Sequence, residues 1–333
     1  MSEIITLDYG SGGRKTSALI DEMILPILGN DVLCQLGDGA VISGADKLAF
    51  STDSFVVNPY IFPGGNIGKL SVCGTVNDIA MAGGIPKYLS LAFIIEEGMP
   101  VDDLKLIIDA IGETAKKAGV SIVTGDTKVV ERGKGDGIYI NTAGIGVLAA
   151  EGLSPAAIKP GDKVIVSGTV GDHGTAIMLA RDSAIADSQL VSDCAPLNYL
   201  AQSLYTLGSD LRVLRDPTRG GVATTLCEFV ESGELTIELD EKSIPVNSAV
   251  QSACDMLGLD PMYCANEGKL LAVVSPKKAE EALALLKGQE YGENAAIIGE
   301  ITTAHPGKVI MKTEFGGSRI LTKLAGAQLP RIC

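Results

Sequence analysis

Tryptophan is absent from the 333 residues, aromatic side chains are 4% of them, and there are two histidines. No run of about 18 apolar residues appears, so nothing in the sequence is built to span a membrane. The start, MSEIITLDYGSGGRK, lacks the basic-then-apolar pattern of a signal peptide, and a cytoplasmic location is expected. Positive charge is in deficit: 27 Lys and Arg stand against 41 Asp and Glu, a formal −14. That speaks against nucleic acid or an anionic membrane as partner. The seven cysteines are scattered with no CxxC pair, which makes a disulfide framework or a zinc site a poor reading. Cys73, Cys227 and Cys254 sit among apolar neighbours and read as core residues. No GxxxxGK[ST] loop is present, so this is not a P-loop enzyme.

What is present is a chain of two-domain length, 46% hydrophobic, with forty glycines. Strand-like runs at 48–57, 88–95, 120–125 and 138–148 alternate with helical patterns at 66–84 and 101–119. Leu104, Ile107, Ile108, Ile111 and Ala115 share one face of the second helix, and Gly119 stops it. The Pro- and Gly-containing connector 149–163 marks a boundary. Beyond it, strands are expected at 163–168, 236–239, 269–274 and 307–312. Helices are expected near 173–181, 219–232, 247–257 and 277–287. The division is 1–150, 151–324 and an aperiodic, mobile tail 325–333 that ends PRIC. The fold class is α/β followed by α+β.

Four segments, LGDGAV, STDSFV, TVNDIAMAGG and TGDTKVV, place Asp38, Asp53, Asn77, Asp78 and Asp126 at strand ends or beside small residues. Each aspartate alone reads as a cap or turn residue. Together they suit a Mg²⁺–polyphosphate site, because Mg²⁺ takes oxygen ligands and clustered carboxylates otherwise repel. GSGGRK (10–15) is flexible enough to close over a ligand. SGTVGDHG (167–174) offers backbone N–H groups at a helix start. His173 there is either a helix-start hydrogen-bonding residue or a ligand or base, and His305 reads as a surface residue. RDPTRGG pairs Asp216 with Arg219, as an internal salt bridge or a functional pair. Glu267, between an amide and a glycine before an apolar strand, is a general-base candidate.

These segments, with FPGGNIGKL, TGDTKVVERGKGDG and PRIC, resemble the superfamily of aminoimidazole ribonucleotide synthetase, selenophosphate synthetase and thiamine monophosphate kinase. The resemblance covers residues 8 to 333 and, within the superfamily, is close to the HypE carbamoyl dehydratases of [NiFe]-hydrogenase maturation. It implies a two-domain fold whose N-terminal domains pair in a homodimer with a barrel-like core. It implies ATP and Mg²⁺ bound by Asp38, Asp53, Asn77, Asp78 and Asp126, with Asp38, Asp53, Asp78 and Asp126 as metal ligands. Thr127 belongs with the nucleotide set, and Lys69 is a weaker phosphate candidate. One departure is GDGAV where relatives often carry GDDAAV, one carboxylate fewer.

The resemblance also implies a reaction. A carbamoyltransferase, HypF, loads Cys333, this chain dehydrates the group with ATP to a thiocyanate, and a HypC–HypD scaffold receives the cyanide. Cys333, Lys128 and Glu267 are then the catalytic residues, with Lys134 a rival to Lys128. Arg331 is expected to offset the charge that disfavours the Cys333 thiolate. Two other readings compete. One is a small-molecule kinase of the same fold, although GSGGRK lacks the reactive Cys usual in selenophosphate synthetases. The other is a non-catalytic protein that only presents Cys333.

Overall fold

The computed structural model describes residues 3–181, 190–231, 233–324, 326 and 331–333. The N-terminal half runs α1 (Arg14–Leu19), a π-helical stretch Ile20–Ile24, α2 (Leu25–Leu28), β1 (Leu48–Phe55), β2 (Ile61–Phe62), β3 (Gly65–Asn66) and α3 (Ile67–Met81). It continues with β4 (Gly84–Glu96), α4 (Val101–Ala118), β5 (Ser121–Val130) and β6 (Ile138–Leu148). The chain then crosses residues 149–162 into a second sheet. That half comprises β7 (Lys163–Val166), α5 (Asp172–Arg181), α6 (Asn198–Tyr205), β8 (Leu211–Arg215), α7 (Gly221–Phe229) and β9 (Thr236–Asp240). It ends with α8 (Ser248–Leu257), β10 (Leu271–Val274), α9 (Ala279–Lys287), β11 (Ala296–Thr302), β12 (Lys308–Lys312) and β13 (Ser318–Leu321).

The first sheet has the order β1-β6-β4-β5, with β4 and β5 parallel and joined by α4 as the crossover helix. The apolar stripe of α4 decides how it sits: Leu104, Ile107, Ile108 and Ile111 are wholly buried. Each such side chain contributes on the order of 1.5–3 kcal/mol. Helix α3 is buried almost all round, packed on β1, β6, α4 and α6. Asn66 caps it, accepting from the N–H groups of Gly68 and Lys69. Strand β5 runs five residues past the expected TG, because TGDTKVV stays paired with β4 as far as Glu96–Val130. The second sheet has seven strands in the order β13-β12-β9-β11-β7-β10-β8. Helix α6 and strands β8, β11 and β13 are absent from the sequence expectations. They are short, and β8 and β11 are broken up by charge or glycine, so local periodicity is weak.

Side chains of the second half satisfy backbone groups of the first. Tyr205 Oη donates to the Ala80 carbonyl (2.6 Å) at the end of α3. Asn198 Nδ2 donates to the Ala118 carbonyl (2.9 Å) at the end of α4. Both carbonyls lie in the last turn of their helices, beyond the reach of a full helical partner; that of Ala80 also accepts Gly83 N (2.9 Å). Much of the expected mobile tail 325–333 lies outside the described residues. Its last three residues, Arg331–Cys333, are held between the two halves.

Candidate functional site

The tail runs alongside the exit of β1. Val56 N donates to the Cys333 carbonyl (3.1 Å), and Asn58 N donates to the Arg331 carbonyl (3.2 Å). The Arg331 side chain reaches back to the Val56 carbonyl (2.9 Å) and pairs with Asp136. Ile332 is buried in the N-terminal core. The result is that Cys333 closes one side of a cavity of about 150 Å³. Thr52, Asp53, Gly74 and Asp78 supply the wall from the first half. Asp216, Thr218, Arg219 and Glu267 supply it from the second. Gly74 is required by space: a Cβ there would lie 2.8 Å from the Phe55 ring. Asp78, Asp216, Thr218 and Arg219 also border a wider cleft of about 620 Å³ that contains Arg215.

Glu267 is positioned by its backbone. Its N–H donates to Asp193 Oδ1 (3.1 Å), and its carbonyl accepts from Ala195 N (3.3 Å). Asp193 is in turn fixed by Lys269 at 3.1 Å. Gly268 must be glycine, since a Cβ would meet the Asp193 carbonyl oxygen at 1.8 Å. The Glu267 side chain is buried and its Oε1 has no hydrogen-bond partner. Burial, and then the acidic neighbours Cys194, Asp216, Asp193 and Asp53, raise its pKa well above the carboxylate range. The cavity aspartates follow the same rule. Burial raises Asp53 and Asp78, and the charge of Asp53 adds to the shift of Asp78. Asp216 is pushed up to about 7 by burial and then by Asp78. The Cys333 thiol is pushed up to about 12, mainly by burial and then by Glu267. The guanidinium that pulls it down is Arg219, not Arg331 as expected, because Arg331 is committed to Asp136 and the Val56 carbonyl.

The expected residues do not all converge. Asp53 and Asp78 do. Asp53 belongs to a row across the sheet with Thr142, Leu91 and Gly125, whereas Asp126 aligns with Ala92 and Asn141. Asp126 therefore points to the opposite face of the sheet, three strands and roughly 14 Å away. There it pairs with Lys128 at 2.5 Å, both half exposed, and with Thr127 it lines a separate cavity beside Gly10 and Gly12. Asp38 lies in an exposed segment outside the Cys333 cavity. Asn77 faces away from it: Nδ2 donates to the Ala195 carbonyl (3.1 Å), and Oδ1 accepts from Leu197 N (2.7 Å). It is a bracket between the halves. Lys69 Nζ is held by the Gly64 carbonyl at 2.9 Å. Lys134 is exposed, but its loop supplies Asp136, the residue that pairs with the tail. Asp216 and Arg219 were open between salt bridge and function in the sequence, and both face the cavity.

Among the described residues no three His, Cys, Asp or Glu lie close enough together to hold a metal ion. Asp53, Asp78 and Asp216 instead form an open arc of hard oxygen donors that repel one another. That suits Mg²⁺ held by one or two carboxylates plus phosphate oxygens. No helix among them is long and apolar enough to cross a membrane.

The family model of the N-terminal domain of AIR synthase related proteins matches residues 36–148, and the C-terminal model matches 159–312. The carbamoyl dehydratase HypE of Bradyrhizobium diazoefficiens is 49% identical over 99% of this chain and 96% of its own. This chain belongs to the HypE family. A solved structure of a HypE in complex with ATP superposes with a TM-score of 0.93 at 45% identity, covering 98% of this chain and 99% of that one. A HypE–HypF complex gives 0.80 at 49% identity, covering 92% and 100%. HypE relatives of this likeness set the small-molecule kinase reading aside.

Proposed function

We propose that this chain uses ATP to remove water from a carbamoyl group carried on the Cys333 sulfur, leaving a thiocyanate. The observation that carries the reading is Cys333 docked beside buried Glu267, in a cavity edged by Asp53, Asp78, Asp216 and Arg219. The names of the relatives and the ATP complex support it.

The carbamoyl oxygen cannot leave as hydroxide. Its attack on the γ-phosphorus forms an O–P bond and breaks the bond to the ADP oxygen. The nitrogen gives up one proton as this imidate forms and a second as the C–O bond breaks. Thiocyanate, ADP and phosphate account for every atom, with both protons passing to phosphate or solvent. Glu267 is the base: its raised proton affinity suits it to take a proton from the nitrogen once ionised. Arg219 offsets negative charge at the oxygen, and burial excludes competing water. Where Mg²⁺ is bound, one or two of Asp53, Asp78 and Asp216 would hold it together with phosphate oxygens, and it would stabilise charge on the transferring phosphoryl. The wider cleft with Arg215 has room for the rest of the nucleotide.

The tail-contacting loop favours Lys134 over Lys128 as the lysine of this site. Asp126 and Lys128 lie on the open face of the first sheet, where Leu48, Phe50 and Ile94 are exposed, and Thr127 between them aligns with buried Phe93 on the other face. That face suits the homodimer, in which the Asp126 edge of one chain serves the cavity of the other. HypF as carbamoyl donor and HypC–HypD as acceptor complete the reading. The test is to incubate the chain with HypF, carbamoyl phosphate and ATP and to weigh the Cys333 peptide. A carbamoylated peptide that loses the mass of one water only when ATP is added is expected. A carbamoylated peptide that never loses it overturns the reading.

A further inference from the structure

His173 is wholly buried, and both ring nitrogens are engaged. Nδ1 lies 2.7 Å from Ser192 Oγ, and Nε2 lies 2.9 Å from the carbonyl oxygen of Ile332. The neighbours fix the tautomer. The Ile332 carbonyl can only accept, so Nε2 carries the proton of the neutral ring, and Ser192 Oγ, which accepts the N–H of Cys194 at 3.0 Å, gives its own proton to Nδ1. Nδ1 is then the acceptor, and Nε2–H donates to Ile332. The ring plane is set by an edge-on contact with Phe62, with centroids 5.6 Å apart at 85°. Ser192 is itself anchored by its N–H to the Pro63 carbonyl at 2.8 Å. The Ile332 carbonyl belongs to the peptide bond that leads directly into Cys333.

We propose that His173 is a positioning residue that latches the tail, holding the Ile332 carbonyl so that the Cys333 sulfur faces Glu267. Arg181 reinforces the latch: Nη2 donates to the Arg331 carbonyl at 2.5 Å, and Nε donates to the Asn58 carbonyl at 2.6 Å. Burial lowers the His173 pKa, which agrees with a neutral ring that donates one proton in a fixed direction. When the tail leaves, Nε2–H loses its partner inside the protein, and that loss favours return. The role deepens the proposed dehydration but is measured without it.

The test is the rate at which iodoacetamide alkylates Cys333, read on the tail peptide by mass spectrometry in the full-length chain. A docked Cys333 is largely covered, so alkylation reports release of the tail. His173→Leu is expected to raise the rate about tenfold, the effect of one lost hydrogen bond. His173→Gln, which keeps an N–H donor of similar reach, is expected to restore most of the protection. An unchanged rate in folded His173→Leu, or a Gln variant as fast as Leu, overturns the latch. Should His173→Leu not fold, Ser192→Ala decides, with a rise of about threefold for the latch and no rise against it. If wild type never dehydrates its tail while the alkylation order holds, the dehydration reading fails and the latch stands.

Discussion

Two acidic regions of the first domain carry similar sequence and different physics. Asp53 and Asp78 face inward at the junction of the halves, where burial raises the pKa of both and the charge of Asp53 raises that of Asp78 further. Asp126 stands on the open sheet face, where Lys128 pulls its pKa down. A carboxylate that gives up water and gains an acidic neighbour stores a demand for a cation. A carboxylate already paired in water does not. The inward pair is therefore prepared for chemistry, and the outward one for surface contact or a neighbouring copy.

The largest effect expected from breaking this contrast is at Glu267. Glu267→Gln is expected to slow ATP-dependent water loss about 10²–10⁴-fold, the range for a general base. The pH profile carries the sign. A raised pKa means the basic form appears only above it, so the wild-type rate should fall with dropping pH while still well above the usual carboxylate range. The Gln variant should lose that limb; a profile flat down to pH 5 in wild type would remove Glu267 as base. Next, Asp78→Asn is expected to cost about 10²-fold in rate with Cys333 still protected from alkylation. Loss of docking instead would recast Asp78 as structural.

A mixing experiment sharpens the contrast itself. If Asp126 serves the partner's cavity, equal amounts of inactive Asp53→Asn and Asp126→Asn chains, unfolded and refolded together, should regain about a quarter of wild-type activity. No recovery would confine Asp126 to its own chain. The smallest effect is at Asn77, one residue from Asp78. Asn77→Ala is expected to cost about 1–3 kcal/mol of stability by leaving Leu197 N and the Ala195 carbonyl without their partner. Thermal unfolding would show this, with turnover below the transition nearly unchanged.

The elements that could be read from the sequence are those with strong local signals. Strand β6 matches its expected run, 138–148, and α4 lies within the expected 101–119, because period and stop residues are written locally. The two strands around Asp53 and Asp126 also look alike locally. Their separation is a matter of strand order, set by pairing between residues up to about a hundred positions apart. Asn77 and Asp78 are neighbours in sequence, yet one faces Leu197 and the other the cavity, because successive helical residues point about 100° apart.

The sequence motifs carried the resemblance to the family, and residue types and local periodicity determined an acidic chain with glycine-bordered carboxylates, the two-part organisation and the candidacy of Cys333. Tertiary structure decided which carboxylates meet, that Asp216 and Arg219 join them, and that Arg331 serves the tail's anchorage and not its thiol. It also showed that His173, which was open between a helix-start residue and a ligand or base and does sit in the first turn of α5, contacts the tail. The physical reason is the same in each case. A local pattern fixes a side chain's direction on its own element, but its neighbours, and so its pKa and its role, are fixed by which elements pack together.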